Sequence, residues 1–96
     1  VTTLTTGTAP SRRFTVQWNA SIFLVSGSNV RVQAQFVEGG AIEFHYCSAA
    51  GDVARTTGSG ATLGVENAAG TAGQALGINT ANTITPGTSA FRWTIP

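Results

Sequence analysis

The run Val30-Arg31-Val32-Gln33-Ala34-Gln35-Phe36-Val37-Glu38-Gly39-Gly40-Ala41-Ile42-Glu43-Phe44-His45-Tyr46 decides the fold. Apolar residues fall on Val30, Val32, Ala34 and Phe36, and again on Ile42, Phe44 and Tyr46, with polar residues between them. A period of two is the signature of a pleated strand with one face toward a core and one toward water. Two adjacent glycines supply the positive φ that a tight hairpin loop needs. A two-residue turn closed by Glu38 and Ala41 would set Phe36 against Glu43 and oppose apolar to polar. A three-residue loop, Gly39–Ala41, pairs Phe36 with Phe44, Ala34 with Tyr46, Gln35 with His45 and Gln33 with Cys47. The second register is expected, because a one-residue slip carries every core side chain to the wrong face.

The same alternation extends outward. Phe14, Val16 and Trp18 alternate with Thr15, Gln17 and Asn19; Ala61, Leu63 and Val65 with Thr62, Gly64 and Glu66; Phe91, Trp93 and Ile95 with Arg92 and Thr94. Ser21–Val25 reads as an extension of the second strand, and Gln74–Ile78 as a weaker sixth or seventh. Val1–Thr6 and Phe91–Ile95 read as terminal strands. Turn signals separate the runs, among them Thr8-Ala9-Pro10-Ser11, Ser26-Gly27-Ser28-Asn29, Gly51-Asp52, Gly58-Ser59-Gly60 and Pro86-Gly87. No helical stripe exceeds two turns, and the glycines of Ala68–Ala75 oppose a helix there. Short strands with a turn every eight to twelve residues predict an all-β chain, an antiparallel β-sandwich with jelly-roll-like connections and about six to seven strands. At 96 residues this is one domain, 1–96, with a modest core.

Composition narrows the function. The chain has five basic residues, all Arg, four acidic ones, no Lys and a net charge of +1. Charged residues make up 9%, against about 25% in an average soluble domain. Such a chain has no field to draw phosphate or anionic lipid, so neither nucleic acid nor membrane insertion is expected. Weak self-repulsion favours side-by-side association, and an edge without Lys has little protection against strand pairing. The chain begins at Val1 rather than Met, which reads as processed material or an excised domain. The single Cys47 has no intramolecular partner and reads as a buried or inert thiol, with an intermolecular pair as the alternative.

Three segments together carry a family resemblance. They are Ala9-Pro10-Ser11-Arg12-Arg13-Phe14-Thr15-Val16-Gln17-Trp18, then Phe36–Tyr46, then Gly60-Ala61-Thr62-Leu63-Gly64-Val65-Glu66-Asn67-Ala68-Ala69-Gly70-Thr71. In this order they resemble a β-sandwich module of bacterial, myxobacterial-type secreted and cell-surface proteins, distantly similar to nidogen-like domains. The resemblance spans roughly Ala9 to Pro96 and implies an extracellular all-β domain without catalysis. In that family the loop after the fourth segment often reads Asn-Ala-Asp-Gly-Thr. Ala69 stands at the Asp position here, which weakens any cation role for the loop. The module also carries earlier strands, so either Val1–Thr6 replaces them or a strand comes from another chain. A vacant strand slot is what β-strand addition exploits.

Candidate chemistry is sparse. Glu43, His45 and Cys47 lie on one strand face at i, i+2 and i+4, with Gln33 and Gln35 opposite, and form the only polar-site or metal-site candidate. Zinc takes these ligand types, but a structural site needs four, and side chains two apart on a strand are about 6.5–7 Å apart. The expectation is therefore a polar sheet face, solvated or covered by an interface, with no metal and no cofactor. His45 is the one candidate base, and nothing around it resembles a nucleophile elbow or a papain-type segment. The carboxylates Glu43 and Glu66 form no evident hydrolytic pair. Arg12-Arg13 reads as a solvated start to a strand. Phe14, Trp18, Phe36, Phe44, Phe91 and Trp93 read as core, and exposure of either Trp would make a carbohydrate platform credible. Asn19-Ala20-Ser21 is a glycosylation triplet.

These features point to a non-enzymatic extracellular structural or adhesive module with protein partners, either copies of itself or neighbouring domains of the same surface protein. One alternative is a filament subunit that donates a strand, formed by Val1, Thr2, Thr3, Leu4, Thr5 and Thr6 within residues 1–8. A second alternative is a carbohydrate-binding module.

Overall fold

The structure is a computed structural model and describes residues 1–94. The strands are β1 (Thr2–Thr6), β2 (Arg13–Ala20), β3 (Asn29–Val37), β4 (Ala41–Ala50), β5 (Thr62–Glu66), β6 (Gly73–Ile78) and β7 (Ala90–Thr94). One four-residue helix, α1 (Val53–Thr56), follows β4, with Asp52 as its N-cap accepting from the Arg55 N–H. A five-stranded antiparallel sheet runs in the order β1-β2-β3-β4-β7, and β5-β6 forms a second, two-stranded layer. The chain meanders through four strands, changes layer after β4, and returns beside β4 as β7. The all-β, two-layer arrangement expected from the alternation is the one the chain adopts. Ile95, read as the end of the last strand, lies outside the described residues.

The β3–β4 hairpin differs from expectation in register. Its three-residue loop is Glu38-Gly39-Gly40, so Phe36 faces Ile42, Ala34 faces Phe44, Gln35 faces Glu43 and Gln33 faces His45. The shift is by two residues, which leaves every side chain on its expected face. Two local features fix it. Gly39 and Gly40 both take φ near +100°, and the Gly40 N–H closes the turn on the Val37 carbonyl. Glu38 is drawn out of the ladder by Arg12, whose carbonyl accepts from the Glu38 N–H. Farther along, a bulge between Arg31 and Val32 places Cys47 between the paired residues Tyr46 and Ser48, so it does not oppose Gln33.

Ser21–Val25 is not strand; β2 ends at Ala20. Leu24 takes a positive φ of 62°, and Ser28 folds the segment into turns. The Ser28 hydroxyl accepts from the Ile22 N–H at 2.8 Å and donates to the Val25 carbonyl at 2.7 Å. This side-chain chemistry overrides the strand preference of an apolar run. It leaves Phe23 and Leu24 exposed at the tip.

The core is small and lies at one end of the first sheet. Leu63 of β5, Ile84 and Trp93 of β7 are buried together, with Phe44, Tyr46, Val65 and Phe91 packed around them. Phe44 and Trp93 meet at 4.9 Å between ring centroids, and Tyr46 and Phe91 at 6.0 Å, edge to face. The β5-β6 hairpin covers β4 and β7. Gly64 lets its strands close, because a Cβ there would sit 2.5 Å from the Gln74 carbonyl oxygen. β2 is left without a second layer among the described residues, while at one end of β3 Val30 and Val32 border a pocket with Arg55, Thr56, Ala61 and Ile84. Two global measures agree. The radius of gyration is 14.3 Å, against about 12.5 Å for a compact chain of this length. The accessible surface is 6223 Å², against about 5,200 Å² for a folded protein of 9.8 kDa.

Candidate functional site

Register and alternation place Phe14, Val16, Trp18, Val30, Val32, Ala34, Phe36, Ile42, Phe44, Tyr46, Phe91 and Trp93 on one face of the five-stranded sheet. Only part of that face is covered. Trp93 is 7% exposed, whereas Phe14 is 43%, Trp18 39% and Phe36 45% exposed. The expectation that all six of these aromatic residues are core therefore fails for Phe14, Trp18 and Phe36. The reason is that the second layer has two strands where the first has five. Phe14 and Phe36 form a ridge, with centroids 6.3 Å apart. Beside them Trp18, Val32, Ala34, Phe44 and Tyr46 line a depression of about 240 Å³ at the border of the covered half.

The opposite face carries the ionisable residues, and they are linked. Gln33 donates to Gln17 at 2.8 Å, Gln35 to Gln33 at 2.7 Å, and Arg13 to Gln35 at 2.6 Å. Glu43 is the hub: Arg13 and Arg92 each donate to one of its oxygens, and His45 Nε2 lies 2.9 Å from the oxygen that Arg13 uses. Arg92 is Glu43's direct cross-strand partner, and Arg13 reaches it diagonally across β3. The His45 contact, followed by Arg13 and Arg92, holds the Glu43 carboxyl at about 2, against its ordinary 4.5. Its side chain is 13% exposed, less than any of the three uncovered aromatics. At the end of the sheet Arg12 grips Glu38 through two side-chain nitrogens and its backbone N–H, and lowers that carboxyl to about 2 as well. Arg12 and Arg13 thus stand at the start of β2, Arg12 open to solvent as expected, and each also donates to a carboxylate.

Of the polar-face candidates, Glu43 and His45 come together and Cys47 does not join them. The Cys47 thiol is half-buried, and its hydrogen bond goes to the His45 carbonyl, 3.9 Å away, rather than to the ring. Among the described residues no group of three or more His, Cys, Asp and Glu is gathered as metal ligands would be. Sequence reasoning missed Arg13 and Arg92 as the partners of Glu43. The signal existed in the opposite charges of β4 and β7, but only the strand order makes them neighbours.

Thr2–Thr6 pairs with β2 as the outer strand of the same sheet, Leu4 against Thr15 and Thr5 against Phe14. All five residues are exposed along its length. Asn19 is exposed near the end of β2. Among the described residues no helix is long and apolar enough to cross a membrane.

The domain is thus a two-layer antiparallel frame with an internally hydrogen-bonded polar face and a partly bare apolar face. The family model described as NIDO related matches residues 1–94, and the chain belongs to that family. Domains of this family are structural and non-enzymatic, and they are typically found in extracellular proteins. No curated protein and no solved structure matches the chain.

Proposed function

We propose that this domain is a non-enzymatic structural or adhesive module of a secreted or cell-surface protein, in the bacterial setting that its motif order implies. It works by laying the bare half of its apolar face, on β2 and β3, against protein. The exposure of Phe14, Trp18 and Phe36 on one contiguous strip carries this reading. Contiguous apolar surface of this kind marks an interaction site. The non-enzymatic reading draws support from Cys47, whose thiol is turned to the main chain rather than to the His45 ring. The test is hydroxyl-radical footprinting of Trp18 in the intact secreted protein. Protection of Trp18 supports the module reading; a Trp18 as reactive as a free indole sinks it.

The outer strand favours a second reading. β1 is exposed throughout and holds the sheet by one ladder, so Val1–Thr6 can leave its own sheet and extend another by strand addition. Deleting Val1–Thr6 leaves an adhesive module folded and abolishes polymerisation of a strand-donating subunit. A glycan site ranks lower. Trp18 is exposed as such a platform requires, yet its face neighbours Val16, Ala20, Val30 and Val32 offer no side-chain hydrogen bonds to a sugar.

A further inference from the structure

We infer that the β1 position at the edge of the sheet is a binding slot for an extended segment of a partner protein. The segment lies antiparallel to β2 and carries apolar side chains at the two places that Thr3 and Thr5 now hold. The inference rests on the strand-donation reading only in its premise that β1 can leave β2; it assigns the vacated edge rather than the departing strand.

β1 sits in the sheet out of phase. Its register sets Thr3 beside Val16 and Thr5 beside Phe14, on the apolar face, and Leu4 beside Thr15, on the polar face. The leucine is therefore 62% exposed, in a groove it shares with Arg13, Thr15, Gln17 and Gln33, while two threonines border the bare Phe14. Val1 is in phase, but it precedes the ladder and is exposed. Of the five strands in this sheet, β1 alone has no residue even half-buried. Main-chain hydrogen bonds hold it, with little from cross-strand side-chain pairs. A slip of one residue would correct the phase. The connection to β2 holds the register against it. Gly7 takes a φ of +79°, a Cβ there would stand 2.7 Å from the Ser11 carbonyl oxygen, and the Ser11 N–H closes the turn on the Thr8 carbonyl.

The edge suits a better-matched strand. On β2, Phe14 and Trp18 stand exposed beside the slot. Aromatic and β-branched side chains paired across strands are what stabilise a sheet, and threonines at these places forgo much of that. Nothing in β1 guards the edge: it has no charge and no Pro, and its ladder has no bulge. Strand addition draws affinity from main-chain hydrogen bonds and selectivity from alternate side chains. The occupant is therefore defined by its phase, with apolar residues at alternate positions on the Phe14 side. A second copy's Val1–Thr6 would bring the same threonines to the same places and gains nothing by exchange. A strand added outside β1 would lie beside those threonines and reach neither Phe14 nor Val16.

The experiment is amide exchange of the full chain with two synthetic peptides, the in-phase Val-Thr-Val-Thr-Val-Thr and the resident sequence Val-Thr-Thr-Leu-Thr-Thr. The tether presents β1 to β2 at an effective concentration of about a millimolar, so the resident sequence should displace it only near that concentration. The in-phase peptide should do so at roughly a tenth of it. Displacement reads as lost protection of the Thr2–Thr6 amides while β2 and β3 stay protected. Thr3→Val with Thr5→Val brings the resident strand into phase and should raise the required concentration of in-phase peptide by about tenfold. Thr2→Val with Thr6→Val, on the polar face, should leave it unchanged. Equal potency of the two peptides, binding that leaves β1 protected, or equal effects of the two double variants overturns the inference. A β1 that exchanges no faster than β2 in the chain alone removes the premise, and the strand-donation reading falls with it. A β1 that exchanges fast but is never displaced by the in-phase peptide overturns the slot alone.

Discussion

Two halves of one sheet face are built from the same kinds of residue and end in different states. Over β4 and β7 the aromatics Phe44, Phe91 and Trp93 are closed in by Leu63, Val65 and Ile84. Over β2 and β3 the aromatics Phe14, Trp18 and Phe36 stand more open than Glu43 on the polar face behind them. Alternation is equally regular in both halves, so strand pattern alone does not make a core. A core also needs a second layer wide enough to cover the face. Here a two-stranded hairpin serves five strands, and the uncovered remainder is held as pleated sheet by ladder hydrogen bonds and by the glutamine and ion-pair network behind it.

The largest contrast is between the two tryptophans. Trp93→Ala should cost about 3–5 kcal/mol, because it empties the centre of the only buried cluster among the described residues. Trp18→Ala should cost the monomer less, about 1–2 kcal/mol, in keeping with a residue 39% exposed at the edge of the covered half. Urea midpoints of dilute samples measure both, and equal losses would erase the distinction between the halves.

Next comes the polar hub. Glu43→Gln should lose about 1 kcal/mol, since the hydrogen bonds to Glu43 are charge-assisted but their Arg partners remain partly in water. Its pH signature is sharper. Glu43 titrates near 2 when folded and near 4.5 when free, so the folded state binds this proton more weakly. The stability it contributes is complete above about 4.5 and is lost as pH falls toward 2. Glu38 has the same sign and window. Unfolding midpoints between pH 2 and 7 should therefore rise with pH through that window, and the rise should be shallower in Glu43→Gln. An identical slope in the variant would mean the network does not form.

The smallest effect is expected of Arg12→Ala. The pair it makes with Glu38 is open to solvent, so the melting temperature should move less than for Glu43→Gln while the β3–β4 loop becomes more mobile in amide exchange.

Much of this fold was legible in the sequence. Alternation located five of the seven strands, β2, β3, β4, β5 and β7, with their faces, and Gly39-Gly40 located the central hairpin. What stayed hidden has identifiable causes. A register shift of two leaves every face unchanged, so pattern could not separate Phe36–Phe44 from the observed Phe36–Ile42. Ser21–Val25 looked like strand because the deciding group, the Ser28 hydroxyl, lies outside the run. Arg13, Glu43 and Arg92 meet only because β7 returns beside β4. Whether Trp18 or Trp93 is buried depends on where the β5-β6 hairpin lands, and nothing in the β2 or β7 segments encodes that.

The most direct test of the two-half account is acrylamide quenching of the single-tryptophan variants Trp93→Phe and Trp18→Phe at monomeric concentration. The account predicts that Trp18 emission, seen in Trp93→Phe, is quenched readily, and that Trp93 emission, seen in Trp18→Phe, is protected. Equal protection of both residues in the dilute monomer would contradict it, because the β2–β3 half would then already be covered within one chain.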